Sequence, residues 1–165
     1  MKKEALSKKK LYGFVVELKS SPGEYITLYV KPFSFPHYIN ELALEPKHSV
    51  YAHEIEEIVS SEAVIREAGK YNTGAAIFWQ ENGNKYIVLP PFPIRENKVS
   101  VGELDASLLY EALEGEYIIG VALVTWGSYS IGIFHHDALV ESKTGTGYIH
   151  KEHKKGGSSQ KRFAR

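Results

Sequence analysis

The hydrophobic pattern changes period near residue 73, and that switch limits the folds open to this chain. Before it, apolar residues recur at helical spacing. Leu11, Phe14, Val15 and Leu18 fall at i, i+3, i+4 and i+7, which predicts an amphipathic helix from Glu4 to Lys19. Tyr51, Ile55, Ile58 and Val59 mark a second helical face, and Ser61 caps a continuation that Gly69 closes. Pro36 starts a shorter helix that runs through Leu42. After the switch come two apolar runs, TGAAIFWQ and KYIVLP, separated by Asn82-Gly83, a strong hairpin signal. One strand interrupts the helical half. It is YITLYV, Tyr25 to Val30, set off from the first helix by Pro22 and Gly23.

Beyond the hairpin, PPFPI continues as an extended segment. Asp105 caps a short helix, ASLLYEAL, which Gly115 closes. YIIGVALVTWG and YSIGIFHHDALVES then read as two or three strands with turns at WGSY and HHDA. KTGTG reads as a flexible lead-in to the last residues. This order predicts an α/β (α+β) fold, with an N-terminal α/β sandwich over 1–114 and the β-rich start of a second unit over 115–165. No internal repeat is present, and no Rossmann or Walker glycine pattern follows any expected strand.

Composition narrows the function classes. With 43% hydrophobic and 12% aromatic residues among 165, the chain can bury a real core. It has no Cys, which removes disulfides, thiolate metal sites and cysteine nucleophiles and suits a reducing compartment. The basic start, MKKEALSKKK, lacks the apolar region of a signal peptide, and no apolar run approaches the ~20 residues of a membrane span. A soluble, cytoplasmic protein with no membrane contact is therefore expected. Net charge is zero, but its distribution is uneven. The stretch from Glu41 to Glu67 is acid-rich, whereas 150–165 holds six Lys or Arg and one acid, Glu152. That terminal cluster reads either as a solvated tail or as a phosphate-facing surface.

Three constellations could carry chemistry. His135, His136 and Asp137 are consecutive, and His150 and His153 are spaced i, i+3. Neighbours on a strand point to opposite faces, so at most one of His135 and His136 would face a given ligand, and no metal or other cofactor is expected. A Ser/His/Asp triad has the residue types but no G-x-S-x-G elbow. The pair Gly156-Gly157 is more informative. It permits backbone angles closed to other residues and removes bulk where a ligand must approach closely. Lys154 and Lys155 precede it. Lys161, Arg162 and Arg165 follow, spaced to put charge on a helix starting near Ser158 or Ser159, with Phe163 as an apolar anchor. Such a segment suits insertion beside crowded phosphates.

HKKGGSSQKRFAR resembles the signature loop of eukaryotic and archaeal class-I peptide-chain release factors, in which His-x-x-Gly-Gly-Gln precedes Arg-Phe-Ala-Arg. Gly156, Gly157, Arg162, Phe163, Ala164 and Arg165 match without a gap. FVVELKSSPGEYITLYVKP, GAAIFWQENGNKYIVLPPFPI and GVALVTWGSYSIGIFHHDALVES are similar to that superfamily's first helix and strand, its first-domain hairpin and the opening strands of its catalytic domain. Ser158 stands where those factors have glutamine, and Gln160 follows two residues later. This displaced glutamine resembles the Vms-like family, the ankyrin-repeat and zinc-finger peptidyl-tRNA hydrolases of ribosome quality control.

The resemblance implies an RNase H-like catalytic fold of which 115–165 is the start. It implies hydrolysis of the ester joining a nascent peptide to tRNA, on stalled ribosomes. Gly156, Gly157, Ser158 and Gln160 would be catalytic, and either Ser158 or Gln160 would be the functional counterpart of the release-factor glutamine. His150, Lys151, His153, Lys154, Lys155, Lys161, Arg162 and Arg165 would bind RNA. The implied partners are the peptidyl-transferase centre of the large ribosomal subunit and peptidyl-tRNA, with a translational GTPase or quality-control factors beside them. A non-catalytic Pelota-like ribosome binder and a tRNA-cleaving nuclease are the alternative readings.

Overall fold

In a computed structural model that describes residues 2–34, 37–80 and 83–147, strand β1 (Tyr25–Val30) is buried along its whole length. Its position explains the first of two compact units, 1–115 and 116–165. Around it lie α1 (Lys8–Ser20), α2 (His37–Ala43), α3 (Ser49–Val59), α4 (Glu62–Tyr71), β2 (Ala75–Trp79), β3 (Lys85–Val88), β4 (Lys98–Gly102) and α5 (Ser107–Glu114). The four strands form one antiparallel sheet in the order β3-β2-β1-β4. Alternation along β1 sends Tyr25, Thr27 and Tyr29 to one face and Ile26, Leu28 and Val30 to the other. On the first face, α1 packs Leu11, Val15 and Leu18, and α5 packs Leu108, Leu109, Ala112 and Leu113. On the second, α2, α3 and α4 supply Ile39, Leu42, Ala52, Ile55, Val59 and Val64. Burial on both faces is why YITLYV reads as a continuous apolar run. The first unit is thus the α/β sandwich expected from the sequence.

Polar groups on β1 hold the start of α5. The buried Tyr29 hydroxyl donates to the Asp105 carbonyl at 2.8 Å and accepts from the Leu109 N–H at 3.3 Å. Thr27 Oγ1 accepts from the Asp105 N–H at 3.2 Å. Burial pushes the Tyr29 phenol well above its ordinary pKa. Asp105 reaches back to β4, pairing with Lys98 at 2.8 Å, and accepts from the Ser107 N–H at 2.9 Å. Burial alone would raise the Asp105 pKa, but these partners outweigh it and hold the carboxyl low.

Several local expectations change. The first helix starts at Lys8, because Ser7 takes the N-cap and accepts from the Lys10 N–H at 3.4 Å. Gly69 lies inside α4, which ends instead at Asn72 in the left-handed region (φ 49°). Strand β4 was not expected. It is five residues long, KVSVG, with only Val99 and Val101 to mark an alternating apolar face. Its pairing with β1 defines it. Pro36 and Asn82, expected to start a helix and a hairpin turn, lie outside the described residues.

The second unit contains β5 (Ile118–Thr125), β6 (Ser128–His135) and β7 (Ala138–Thr146), an antiparallel meander in the order β5-β6-β7. The expected turns at WGSY and HHDA are its two hairpins. Among the described residues no helix is long and apolar enough to cross a membrane.

Candidate functional site

Every expected catalytic residue (Gly156, Gly157, Ser158, Gln160) and every expected RNA-binding residue from His150 to Arg165 lies outside the described residues. The structure instead shows the sheet that leads to them. Strands β5 and β6 join through Trp126-Gly127, where Gly127 takes φ 90° and the Thr125 and Ser128 hydroxyls meet at 2.6 Å. Strand β7 returns to the same end, with Thr146 opposite Ser128 and the Gly147 N–H donating to the Gly127 carbonyl at 2.9 Å. The described chain therefore ends beside the Trp126 turn. Trp126 itself is 90% exposed.

KTGTG is not a flexible lead-in. Lys143 to Thr146 form the last rungs of β7, paired with Ser128 to Ile131. Gly145 lies opposite Tyr129, and a Cβ there would come within 2.5 Å of the ring. The missing side chain lets the aromatic ring lie across the strand, as aromatic side chains do over strand glycines elsewhere. Two glycines thus conceal a strand from a reading by propensity.

No described residue of 116–147 is buried. The register sets Ile118, Val124, Ile131 and Ile133 on one face and Val121, Leu123 and Leu139 on the other, all exposed. Lys143 is the only Lys or Arg between 116 and 147. The sheet is therefore an apolar platform of low charge, and the positive charge of this unit is carried by 150–165.

The far end of the sheet holds a cluster that strand alternation misses. His135 closes β6, but His136 is a turn residue with φ 55°, so the two rings do not point to opposite faces. Their centroids lie 4.6 Å apart. The His136 N–H donates to the Tyr117 carbonyl at 3.3 Å, which brings the preceding Glu116 alongside. The ligating atoms of Glu116, His135 and His136 all lie within 4.8 Å of one another. The adjacent histidines were the available signal; Glu116, distant in sequence, was not.

Residues 118–165 match the family model described as "Actinobacteria/chloroflexi VLRF1 release factor". The match begins at the first residue of β5, takes in the whole meander and extends over Gly156-Gly157 and the terminal basic residues. It covers under a third of the 165-residue chain. This segment is therefore similar to a release-factor family. No curated protein matches the chain. Among solved structures, an archaeal translation termination factor, aRF1, overlays with a TM-score of 0.44 at 20% identity, covering 87% of this chain and 46% of its own. A second, described as "Archaeal protein", gives 0.42 at 18%, covering 88% and 46%. The chain spans less than half the length of either.

Proposed function

We propose that this chain is a release-factor-like peptidyl-tRNA hydrolase of the Vms-like kind, acting in the cytoplasm on stalled ribosomes. The observation that carries the reading is the release-factor match over 118–165, which includes Gly156-Gly157 and the basic residues that follow. Water attacks the ester carbonyl, negative charge develops on its oxygen, and the departing ribose oxygen takes up a proton. Backbone N–H groups at a glycine turn can stabilise that charge without a titrating side chain. Gln160 places the water, a role that a neutral amide can fill in a pocket closed to bulk solvent. Ser158 is the competing residue for that role. Lys151, Lys154, Lys155, Lys161, Arg162 and Arg165, with His150 and His153, hold the segment against RNA. Trp126, exposed beside Gly147, offers a ring on which a base can stack.

The test is release of peptide from peptidyl-tRNA on purified ribosomes. Gly157→Ala is expected to abolish release while leaving ribosome co-sedimentation nearly intact, because the phosphate-binding side chains are unchanged. Gln160→Ala lowers the rate if its amide places the water, and Ser158→Ala does so if Ser158 holds that role. Serine at the expected glutamine position favours one second reading, a Pelota-like factor that binds ribosomes without hydrolysis; it predicts no release by the wild type. Shortened tRNA on a denaturing gel would indicate a nuclease instead. Equal release by wild type and Gly157→Ala would sink the mechanism.

A further inference from the structure

We propose that Glu116, His135 and His136 form a site for a divalent transition-metal ion of the Zn2+ class. Two imidazoles and one carboxylate are a borderline donor set, suited to Zn2+, Co2+, Ni2+ or Cu2+ rather than to Mg2+ or Ca2+. Metal–ligand bonds of about 2.0–2.1 Å in a tetrahedral site put donors about 3.4 Å apart. The three ligating atoms already lie within 4.8 Å of one another, and all three side chains are exposed. Closing the site to that spacing therefore shortens each donor–donor distance by no more than about 1.4 Å.

The backbone is placed for this. His135 is paired with Ile118, and the His136 N–H bonds to the Tyr117 carbonyl, so the turn and the lead-in to β5 are already held together. His136 sits at φ 55°, a conformation that glycine would adopt with no Cβ penalty. A histidine there brings a second imidazole beside the first. The fourth position faces solvent, open to water or a further donor. An ion so held would clasp the start of β5 to the β6–β7 turn, bracing a sheet in which no described residue is buried. The site stands at the opposite end of the meander from Trp126 and Gly147, and it goes beyond the proposed release activity.

Calorimetry on chelator-treated protein with ZnCl2, paired with visible absorption of the Co2+ complex, tests the proposal. One ion per chain is expected, with Mg2+ giving no heat. Loss of even an outer-shell partner costs a metal site about 10–100-fold in affinity, so Glu116→Gln, His135→Gln and His136→Asn should each weaken binding at least about tenfold. Asparagine is chosen at 136 because it tolerates the left-handed backbone, and circular dichroism checks that each variant retains its sheet. The double variant His150→Ala/His153→Ala should bind as the wild type does. Absence of Zn2+ and Co2+ binding overturns the site. So does unchanged affinity in the three ligand variants, or loss of binding in the double variant whatever the others show.

Discussion

Gly69 and Gly74 are near neighbours in sequence, yet alanine should act on them in opposite directions. Gly69 lies inside α4, and a Cβ added there meets nothing within 4 Å. Gly69→Ala should stabilise the protein by about 0.5–1 kcal/mol, since a helix interior disfavours glycine by that much. Gly74 has φ 82°, and a Cβ there would lie 2.2 Å from the Val30 carbonyl oxygen. Gly74→Ala should cost more than about 1 kcal/mol. Urea unfolding measures both, and shifts of the same sign would contradict this account. Tyr29→Phe tests the hold on α5. It strands the Asp105 carbonyl and the Leu109 N–H in a buried setting, for an expected loss of about 1–3 kcal/mol.

At the level of elements, the N-terminal lead-in is tied to α4 by charge. Lys3 bonds to Glu67, which also accepts from Lys70 at 2.7 Å, and these partners pull the Glu67 carboxyl down to about 2. Its folded pKa lies below the unfolded value of about 4.3, so the stability it contributes is present above that pH and fades as pH falls towards 2. An NMR titration should find its midpoint near the lower value, and Lys3→Gln should raise it. In the second unit, Gly145→Val should lower the melting temperature, and the loss should shrink when Tyr129 is also replaced by alanine. The elements that sequence made legible were those with a strong pattern: the helical period of α1, the continuous apolar runs of β1 and β5, and the alternation along β6. β4 was not, because its definition comes from the strand beside it. The end of α4 was misread because Gly69 offered a familiar stop signal, while the left-handed turn fell to Asn72. The last rungs of β7 were misread because Gly145 accommodates the Tyr129 ring from the neighbouring strand, which no local rule detects.

On the scale of the whole molecule, the two units differ in what they bury. Residues 1–115 own both hydrophobic cores, and a fragment of that length should unfold cooperatively on heating, followed by circular dichroism. Phosphate affinity should belong to the terminal basic cluster. Ribosome co-sedimentation should weaken steeply with salt, and replacing Lys154, Lys155 and Arg162 with Gln should flatten the slope, since each phosphate contact releases counterions. The candidate loop is a reading of sequence motif alone, from glycines and basic residues in a fixed order, and it lies outside the described residues. The Glu116–His135–His136 cluster was not legible in the sequence, because a turn and a backbone hydrogen bond bring it together. The meander also has an odd number of strands, so the chain enters at the Ile118 end and leaves at Gly147, about 25 Å away at ~3.3 Å per residue over eight residues. A pull between 116 and 147 runs along the strands and loads every rung in shear. A pull between Gly127 and Gly147, which sit side by side, peels β6 from β7 one rung at a time. Under tension the same sheet is a strut along its length and a zipper across its mouth.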